Sequence, residues 1–499
     1  MSLHPDLRHF KKGVSLTTQW TGNEFKNMEK VFLGVLAGAT DPQVILAVRG
    51  ILDFIYYAHF ETHTDESLAK LDAAWSTFHE NKEVFEKLDI RKHFNISKLH
   101  NIKHYIDSIR SHGTADGYNT EGTERLHIDL AKMGYLAGNR KEYIKQMTVW
   151  LRRQKAVHCF ATYLQWAVPG YVADAVSDPK LTPTVKGDDE AEDSNNEQEE
   201  PQDLATRTSD DSSIHTQLGA ISHLVAKRPA LTGVSLTSLV NDFGAVDFLQ
   251  HLNKFMRSSP LITASGSLPL VATTGATYSL YKCAVLTLPA IQEVGGKTIR
   301  DIVHAVKAVP QKVTTQGIKK GSAAHFSTVL IRTQSTNTIH ENSIKSLDPL
   351  AGVGVGQVRV IFKLPEQFGI CRTPLAYVHW MKPLREPIPS IHMHEVSFSS
   401  HNHRQRASII PLNDVLQTCH LIPVFGRASA SSLGWRAETV LDEAPSFYLN
   451  PYLRHHDFFF LRFKLGMYLQ EAQQLEAARQ EAQKARGRRS TKRRRVGLK

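Results

Sequence analysis

Apolar residues recur at helical spacing through most of the chain up to Trp166. Side chains three and four residues apart predict five helices, over Glu24–Ala37, Asp41–Phe60, Asp65–Leu88, Ile96–Ser111 and Thr123–Ala137. Asp41 followed by Pro42 is a typical helix start, because an acidic N-cap precedes a residue that favours the first helical position. The pattern predicts a mainly helical N-terminal region.

The pattern changes in the second half of the chain. After a helical stretch over Ser235–Met256, short β-branched and aromatic runs are separated by Gly, Pro and Asn, at Phe326–Arg332, Gly356–Phe362, Leu375–Met381, Glu395–Phe398 and Ala407–Pro411. Such runs predict strands, and their shortness favours a small SH3-like barrel or a sandwich that begins at about residue 326. The predicted fold class is α+β.

Charge divides the chain further. The formal net charge is +11, yet Asp188–Asp211 holds eleven acidic residues and one basic residue, whereas Lys484–Lys499 holds nine basic residues and no acidic one. A polar, acidic stretch cannot bury enough apolar surface to become ordered. We therefore predict four regions: a helical region over 1–167, a disordered acidic linker over 178–212, an α+β domain over 213–467, and a helical, basic tail over 468–499.

Composition limits the class of protein. The four cysteines are far apart, which argues against a disulfide framework and against a four-cysteine zinc site. No unbroken apolar run approaches the ~20 residues that span a bilayer, and the sequence does not open with a signal-peptide core. These features predict a soluble intracellular protein with no membrane partner. The excess of basic residues outside the acidic stretch favours a polyanionic partner.

Two carboxylates lie where an irregular segment becomes a helix. Glu121 and Glu124 are three residues apart within Tyr118–Lys132, at the predicted start of a helix. Acids in this arrangement could bind a divalent metal ion. The alternative is that they are ordinary first-turn acids, which the helix dipole stabilises by ~0.3 to 1 kcal/mol.

Further stretches flank this motif and continue far downstream. Phe94–Arg110 and Asn139–Gln154 lie on either side of it, and Leu375–Trp380, Cys419–Gly426 and Phe447–Asp457 follow later in the chain. Together these stretches resemble Plavaka transposases, a fungal group of cut-and-paste elements that is similar to the CACTA and the Kyakuja, Dileera and Zisupton transposases. The resemblance extends over residues 1 to 165 and 213 to 463.

The resemblance implies DDE chemistry on an RNase H-like fold. In such transposases three carboxylates hold two magnesium ions, one activating the attacking oxygen and the other stabilising the leaving oxygen. The resemblance assigns the third carboxylate, and with it the ancestral metal ligand, to Glu124, which begins the helix, or to Glu121. Both residues could also serve only as helix caps.

The first two aspartates of such enzymes lie on early strands, ahead of a helical insertion. Here the chain opens within what resembles that insertion, and Asp41, Asp53 and Asp65 fall at helix starts or on a helix instead. The expectation is therefore a truncated transposase that contains no magnesium site of its own and does not cut DNA alone. An intact relative would use magnesium.

DNA binding is the property that such a fragment would retain. Basic side chains that could neutralise phosphates follow the acidic motif, at Arg140, Lys141, Arg152, Arg153 and Lys155. A cluster in the tail resembles a nuclear import signal or a nonspecific nucleic-acid tail, at Arg488, Arg489, Lys492, Arg493, Arg494 and Arg495. We expect nonspecific DNA as partner, besides a full-length transposase or a host protein, and a nuclear or nuclear and cytoplasmic location. An ordinary solvated helix face is the alternative for each basic stretch.

Histidines suggest metal sites. His100 and His104 are four residues apart, as in helical metal sites, and two further pairs could share strand faces, at His392, His394, His401 and His403. Packed or polar histidines are the alternative in both cases. The residues between the two pairs predict a polar hairpin, which Arg404 and Arg406 would crowd with positive charge.

Two more features bear on function. His455-His456-Asp457 could mimic a catalytic pair, but the adjacent Phe458–Leu461 predicts a core strand and favours structural histidines. An aromatic cage formed by Tyr377, Trp380 and Trp435 would indicate a host-adopted chromatin or protein-interaction factor, which is the alternative function.

Overall fold

Contacts divide the chain into two compact units. The computed structural model describes residues 1–10, 20–118, 126–168, 171, 221–262, 271–314, 317–319, 321–333, 350, 352–401, 404–427 and 433–464. Unit 1 combines Met1–Arg110 with Asp203–Lys499, and unit 2 is Ser111–Gln202. The helical stretch 1–167 is thus shared between the two units. The acidic stretch 178–212 and the tail 468–499 lie outside the described residues.

Helices form the N-terminal part of the chain, as the apolar spacing predicts. They are α1 (Gly22–Leu36), α2 (Pro42–Ala58), α3 (Asp65–Asn81), α4 (Val84–Lys87), α5 (Ser97–Ile102), α6 (Tyr105–His112), α7 (Ala115–Tyr118), the π-helix π1 (His127–Lys132), α8 (Met133–Leu136) and α9 (Tyr143–Ala167). The single helices predicted over Asp65–Leu88 and Ile96–Ser111 are each divided in two. The predicted helical region is confirmed, with shorter pieces.

Capping side chains set where the first helices begin. At α1 the Thr21 hydroxyl accepts from the Glu24 N–H, and the Glu24 carboxylate accepts from the Thr21 N–H at 2.7 Å. At α2 the Asp41 carboxylate accepts from the Gln43 N–H at 2.7 Å, and Pro42 takes the first helical position. The predicted start of α2 is therefore confirmed by its cap.

Strands make up most of the chain from residue 222 onward. They are β1 (Ser222–Val225), β2 (Leu231–Val234), β3 (Tyr278–Tyr281), β4 (Cys283–Leu288), β5 (Ile299–Val306), β6 (Lys312–Thr314), β7 (Gly317–Lys319), β8 (His325–Phe326), β9 (Thr328–Arg332), β10 (Val353–Phe362), β11 (Leu375–Trp380), β12 (Glu395–Val396), β13 (Ser400–His401), β14 (Arg404–Gln405), β15 (Ala407–Pro411), β16 (Val415–Thr418), β17 (Leu421–Pro423) and β18 (Phe447–Leu449). The α+β class is confirmed.

Short helices interrupt the strands. They are α10 (Leu236–Phe243), α11 (Phe248–Ser258), the 3-10 turns Glu366–Phe368 and Leu412–Asp414, α12 (Val440–Glu443), α13 (His455–Phe458) and the π-helix π2 (Phe459–Lys464). The helical stretch predicted over Ser235–Met256 consists of α10 and α11, and Gly244, with a φ of 68°, caps α10 in the left-handed conformation. The strand predicted over Phe458–Leu461 is wrong, since these residues are helical.

Two antiparallel sheets pack against each other through a shared core. The larger sheet has the order β15-β11-β10-β3-β2, with β9 paired to both β10 and β16, and the smaller one has the order β1-β4-β5-β8. Fully buried side chains of both sheets meet, among them Val303 of the smaller sheet and Ile331 and Ile361 of the larger one. A start of the β-rich part at about residue 326 is wrong, because β1 to β5 precede it.

The N-terminal helices of unit 1 share a core with the end of the described chain. Buried side chains of α2 and α3, such as Tyr57 and Trp75, belong to the same cluster as Tyr452, Phe458 and Phe463. Fully burying an aromatic side chain contributes ~1.5 to 3 kcal/mol relative to leaving it exposed. The helices up to residue 110 and the C-terminal segment therefore stabilise each other. Among the described residues, no helix is both long and apolar enough to cross a membrane.

We expect Gly50→Ala to destabilise unit 1. A Cβ on Gly50 of α2 would lie 2.6 Å from the Phe78 backbone nitrogen and 2.9 Å from the Ala74 carbonyl oxygen on α3. The two helices would have to separate, and overpacking of this kind costs ~1 to 3 kcal/mol. Gly22→Ala at the start of α1 is the matched control, because its Cβ would meet nothing within 4 Å. Urea unfolding of both variants measures the difference, and equal stability would contradict the packing argument.

Candidate nucleic-acid interface and basic cleft

The two predicted acidic ligands lie outside the described residues. Residues 119–125, which include Glu121 and Glu124, are not among them, and the described chain resumes at Leu126 with helical backbone. The assignment of an ancestral metal ligand to either residue stays a prediction. Among the described residues, no group of three or more His, Cys, Asp or Glu side chains could hold a metal ion.

The predicted basic side chains of unit 2 lie on or just before α9. This helix has 25 residues, so it is ~37 Å long at 1.5 Å per residue, and none of its described residues is buried. Arg140 precedes it with a φ of 63° and places its guanidinium 5.6 Å from the centroid of the Tyr135 ring. Lys141 is exposed beside it. All five predicted phosphate-binding side chains are therefore exposed to solvent.

Arg152, Arg153 and Lys155 do not share one face of α9. At 100° per residue, Arg152 and Lys155 lie within 60° of each other, whereas Arg153 points ~100° away from Arg152. Within the described chain, none of the three forms an ion pair, and α9 itself carries no acidic residue. Their charges are thus not neutralised by a neighbouring described carboxylate.

Exposed aromatic rings follow Lys155 along α9, and two of them, Tyr163 and Trp166, continue the face that carries Arg152 and Lys155. Phe160, Tyr163 and Trp166 are 61%, 55% and 82% exposed. The Phe160 and Tyr163 rings stack with centroids 6.5 Å apart, and the Tyr163 and Trp166 centroids are 6.0 Å apart. We call Arg152, Lys155, Tyr163 and Trp166 the basic-aromatic face of α9. The aromatic half of it was not predicted, although its spacing of three residues is a signal that the sequence contains.

Unit 1 contains a cleft of about 850 Å³ that the sequence did not predict. Its walls come from α1, the end of α2, the loop before β5 and the segment around α13. Basic side chains line it from all of these parts except α2, at Lys26, Lys30, Lys297, Arg300 and Arg454. Because these residues are far apart in the chain, no sequence motif contains them together. A local signal is the pair Gly295-Gly296 followed by Lys297.

Arg454 is the one basic residue of the cleft whose charge is fully used. Its guanidinium forms two bonds to the Asp457 carboxylate at 2.9 and 3.0 Å and lies 3.1 Å from the Asp301 carboxylate. Asp6 lies 3.6 Å away. Although burial opposes the charge, these carboxylates raise the pKa of Arg454 above its ordinary value. This cation is structural.

Three histidines line the same cleft. The rings of His59 and His455 stack with centroids 5.0 Å apart. Burial first, and then the charges of His59, Lys30 and Lys26, lower the pKa of His455 to about 4. Burial and Arg454 lower the pKa of His456 to about 4. Both imidazoles are therefore neutral at pH 7.

The other histidine candidates separate in the structure. The Nε2 atoms of His100 and His104 lie 3.4 Å apart on an exposed surface, without a third described ligand. His392 contacts the Arg49 guanidinium at 3.2 Å, and it precedes β12 rather than lying on a strand. β13 and β14 pair as a hairpin that turns after His401, not between the two histidine pairs as predicted, and His403 lies outside the described residues.

The three aromatic residues of the predicted cage pack into different cores. Tyr377, Trp380 and Trp435 belong to three separate hydrophobic clusters. The Tyr377 hydroxyl donates to the Val246 carbonyl at 2.5 Å, and the Trp380 indole donates to the Ser408 hydroxyl at 2.7 Å. This dispersal removes the support for a chromatin reader that uses these rings.

Comparison of the chain with models of protein families, with curated proteins and with solved structures found no match in any of the three. The likeness to Plavaka transposases therefore rests on the sequence stretches quoted above.

We expect unfolding free energy to fall as pH drops from about 6.5 to about 4. An ordinary imidazole has a pKa of 6.5, whereas that of folded His456 is about 4. Between these values the unfolded chain binds more protons, so acid favours unfolding. His456→Gln should reduce the slope by up to ~1.4 kcal/mol per pH unit. Urea unfolding at several pH values measures it, with His100→Gln on the exposed surface as control. Equal slopes for wild type and His456→Gln would contradict the prediction.

Proposed function

We propose that this protein binds nucleic acid through α9 and descends from a Plavaka-type transposase. The observation that carries the proposal is a 25-residue helix without a buried residue, whose Arg152, Arg153 and Lys155 are exposed and form no ion pair within the described chain. Lys and Arg side chains in this state can replace the counterions of a phosphate backbone, and the release of those ions drives binding. Binding of this kind does not depend on base sequence.

The basic-aromatic face favours single strands. Aromatic side chains bind unpaired bases by stacking, at ~1 to 3 kcal/mol per base, and nearby cations follow the backbone. Arg152 and Trp166 are fourteen residues apart, which corresponds to ~21 Å of helix. A strand of a few nucleotides fits along this length. Duplex DNA would use the same cations but not the rings.

The transposase origin extends this proposal to the rest of the chain. Residues 1–167 would correspond to the insertion and the last helix of an RNase H-like domain, with Glu124 or Glu121 as the ancestral third carboxylate. The two packed sheets would form the sandwich or barrel of the C-terminal domain. Import through the basic tail Arg488–Arg495 would place the protein in the nucleus, where a full-length transposase or a host protein could join it.

We expect Arg152→Gln/Arg153→Gln/Lys155→Gln to weaken nucleic-acid binding about tenfold or more at ~100 mM salt. Each lost phosphate contact removes counterion release, so the slope of log affinity against log salt should fall by about 2 to 3. Fluorescence anisotropy with labelled oligonucleotides measures both quantities. Tyr163→Ala/Trp166→Ala should weaken single-strand binding while leaving duplex binding unchanged.

The matched control removes three exposed cations of unit 1, as Lys227→Gln/Arg228→Gln/Lys254→Gln. It lowers the net charge equally, so it should leave affinity and salt slope close to those of the wild type. If the control variant loses as much affinity as the α9 variant, overall charge and not α9 accounts for binding.

We expect no magnesium-dependent cleavage of DNA by the purified protein. Three buried aspartates are candidates to complete a carboxylate triad, but each is held by arginine: Asp53 by Arg462, and Asp301 and Asp457 by Arg454. A carboxylate bound in this way is not free to hold a metal ion. Incubation of supercoiled plasmid with protein and magnesium ions tests this. Nicking that Glu124→Gln abolishes would establish an active enzyme instead.

A further inference from the structure

Four cations of the cleft in unit 1 have no carboxylate partner. Lys26, Lys30, Lys297 and Arg300 form no ion pair among the described residues, whereas Arg454 is paired with Asp301 and Asp457. Of the carboxylates in the cleft, Asp6 lies 3.6 Å from Arg454. Glu29 and Glu61 remain, so four positive charges face two negative ones. A concave surface with an excess of one sign concentrates its field on ligands of the other sign.

The ammonium group of Lys30 is partly removed from water and has no carboxylate in contact among the described residues. Its ammonium is half-buried on α1 and donates to the Asp6 carbonyl oxygen at 2.7 Å, which leaves two N–H bonds without an acceptor in the described chain. Burial lowers the pKa of Lys30, because the charge has lost water without gaining a carboxylate in contact. An anion in the cleft would restore that lost interaction.

A protein carboxylate already occupies one anion position beside the cleft. The Glu61 carboxylate accepts from the Gly296 N–H at 3.3 Å, and a Cβ on Gly295 would lie 3.3 Å from its Oε1. The absence of a side chain at Gly295 thus lets an oxyanion approach the backbone of this loop. Lys297 follows directly and also lines the cleft.

Two imidazoles of the cleft have ring nitrogens without a hydrogen-bond partner in the described chain. His456 is 3% exposed, and neither of its ring nitrogens has a hydrogen-bond partner in the described chain. The buried Nδ1 of His455 likewise has none. A buried N–H without an acceptor costs ~1 to 3 kcal/mol. A bound oxyanion would supply that acceptor after a small rotation of the ring.

We propose that this cleft binds a phosphate monoester group, with Lys30, Lys297 and Arg300 as its main cationic contacts. Its volume lies in the range typical of small-ligand sites, about 300 to 1,000 Å³. Among the described residues that line it there is no Trp or Phe side chain, and the Tyr56 hydroxyl is engaged with the Tyr452 carbonyl. The phosphate could belong to a small molecule or to the end of a nucleic-acid strand. This site is independent of α9.

Calorimetric titration of the full chain tests the proposal with inorganic phosphate, a nucleoside 5′-monophosphate and the parent nucleoside. We expect both phosphates to bind and the nucleoside not to bind. Lys297→Gln/Arg300→Gln should weaken phosphate binding about tenfold, the effect of losing ~1.4 kcal/mol of charge-assisted contacts. The charge-matched control Lys254→Gln/Arg257→Gln, on α11, should leave it unchanged. Equal loss in both variants, or equal binding of nucleoside and monophosphate, would overturn the proposal.

Glu61→Gln provides a change in the opposite direction. Its amide oxygen can still accept from the Gly296 N–H, so the loop keeps its contact while one repelling charge disappears. Phosphate affinity should rise several-fold by removal of like-charge repulsion, and an unchanged or reduced affinity would count against the site.

The two sources of phosphate are distinguished in the background of Arg152→Gln/Arg153→Gln/Lys155→Gln, which removes the α9 contacts. An oligonucleotide with a 5′-phosphate that binds more tightly than the monophosphate identifies a strand end, and equal affinities identify a small phosphate ester. An oligonucleotide that binds equally well with a 5′-hydroxyl would refute a phosphate monoester site. Loss of DNA binding with retained phosphate binding in this background separates the cleft from the α9 proposal.

Discussion

The ion pair between Asp53 and Arg462 is the interaction on which unit 1 depends most. The two carboxylate oxygens accept from the guanidinium at 2.5 and 3.2 Å, and the Tyr452 hydroxyl donates to the same carboxylate at 2.7 Å. Burial alone would raise the pKa of Asp53, but the charge and bonds of Arg462 outweigh it and hold the pKa below its ordinary value. Two buried charges are tolerated only when all partners are in place, and removal of one partner costs ~3 to 5 kcal/mol. Since α2 and π2 supply the two charges, the ion pair joins the first helices to the end of the described chain and stabilises both.

Arg454 is the centre of a second buried ion-pair network, which accounts for the excess of positive charge in the cleft. Asp301 accepts from the Thr418 N–H at 2.7 Å, Asp457 accepts from the Gln417 amide at 2.8 Å, and both are bound to the Arg454 guanidinium. The Arg454 guanidinium thereby connects β5, β16 and α13. Because Arg454 binds these buried acids, Lys26, Lys30 and Lys297 of the cleft have no ion-pair partner among the described residues. Stability and the excess of positive charge in the cleft thus have the same origin.

Local chemistry determined which parts of the fold could be predicted. The start of α2 is encoded by Asp41 and Pro42 next to each other, and β15 by the run Ala407–Pro411, so both were predicted within a residue. Phe458–Leu461 has the composition of a core strand, yet it is helical, because a helix continues through to Arg462 and brings it to Asp53 on α2. Asp53 lies 409 residues before Arg462 in the sequence, so no local motif indicates this ion pair. The cleft is hidden for the same reason, since Lys30, Lys297 and His456 meet only after the two ends of unit 1 have packed.

Packing in the core of unit 2 does not explain the exposed apolar and basic side chains of α9. Helices in globular proteins are stabilised mainly by packing one apolar face, and isolated ones are marginal in water. α9 has no buried residue; Trp166 is 82% exposed and Phe160 61% exposed, on the same helix as the cations Arg152, Arg153 and Lys155. Large exposed apolar side chains beside charges of one sign are typical of binding surfaces. A negatively charged partner with flat, stackable groups satisfies the cations and the rings together, whereas a purely acidic protein surface would leave the rings in water. These two requirements are the reason why we propose nucleic acid with unpaired bases as the partner.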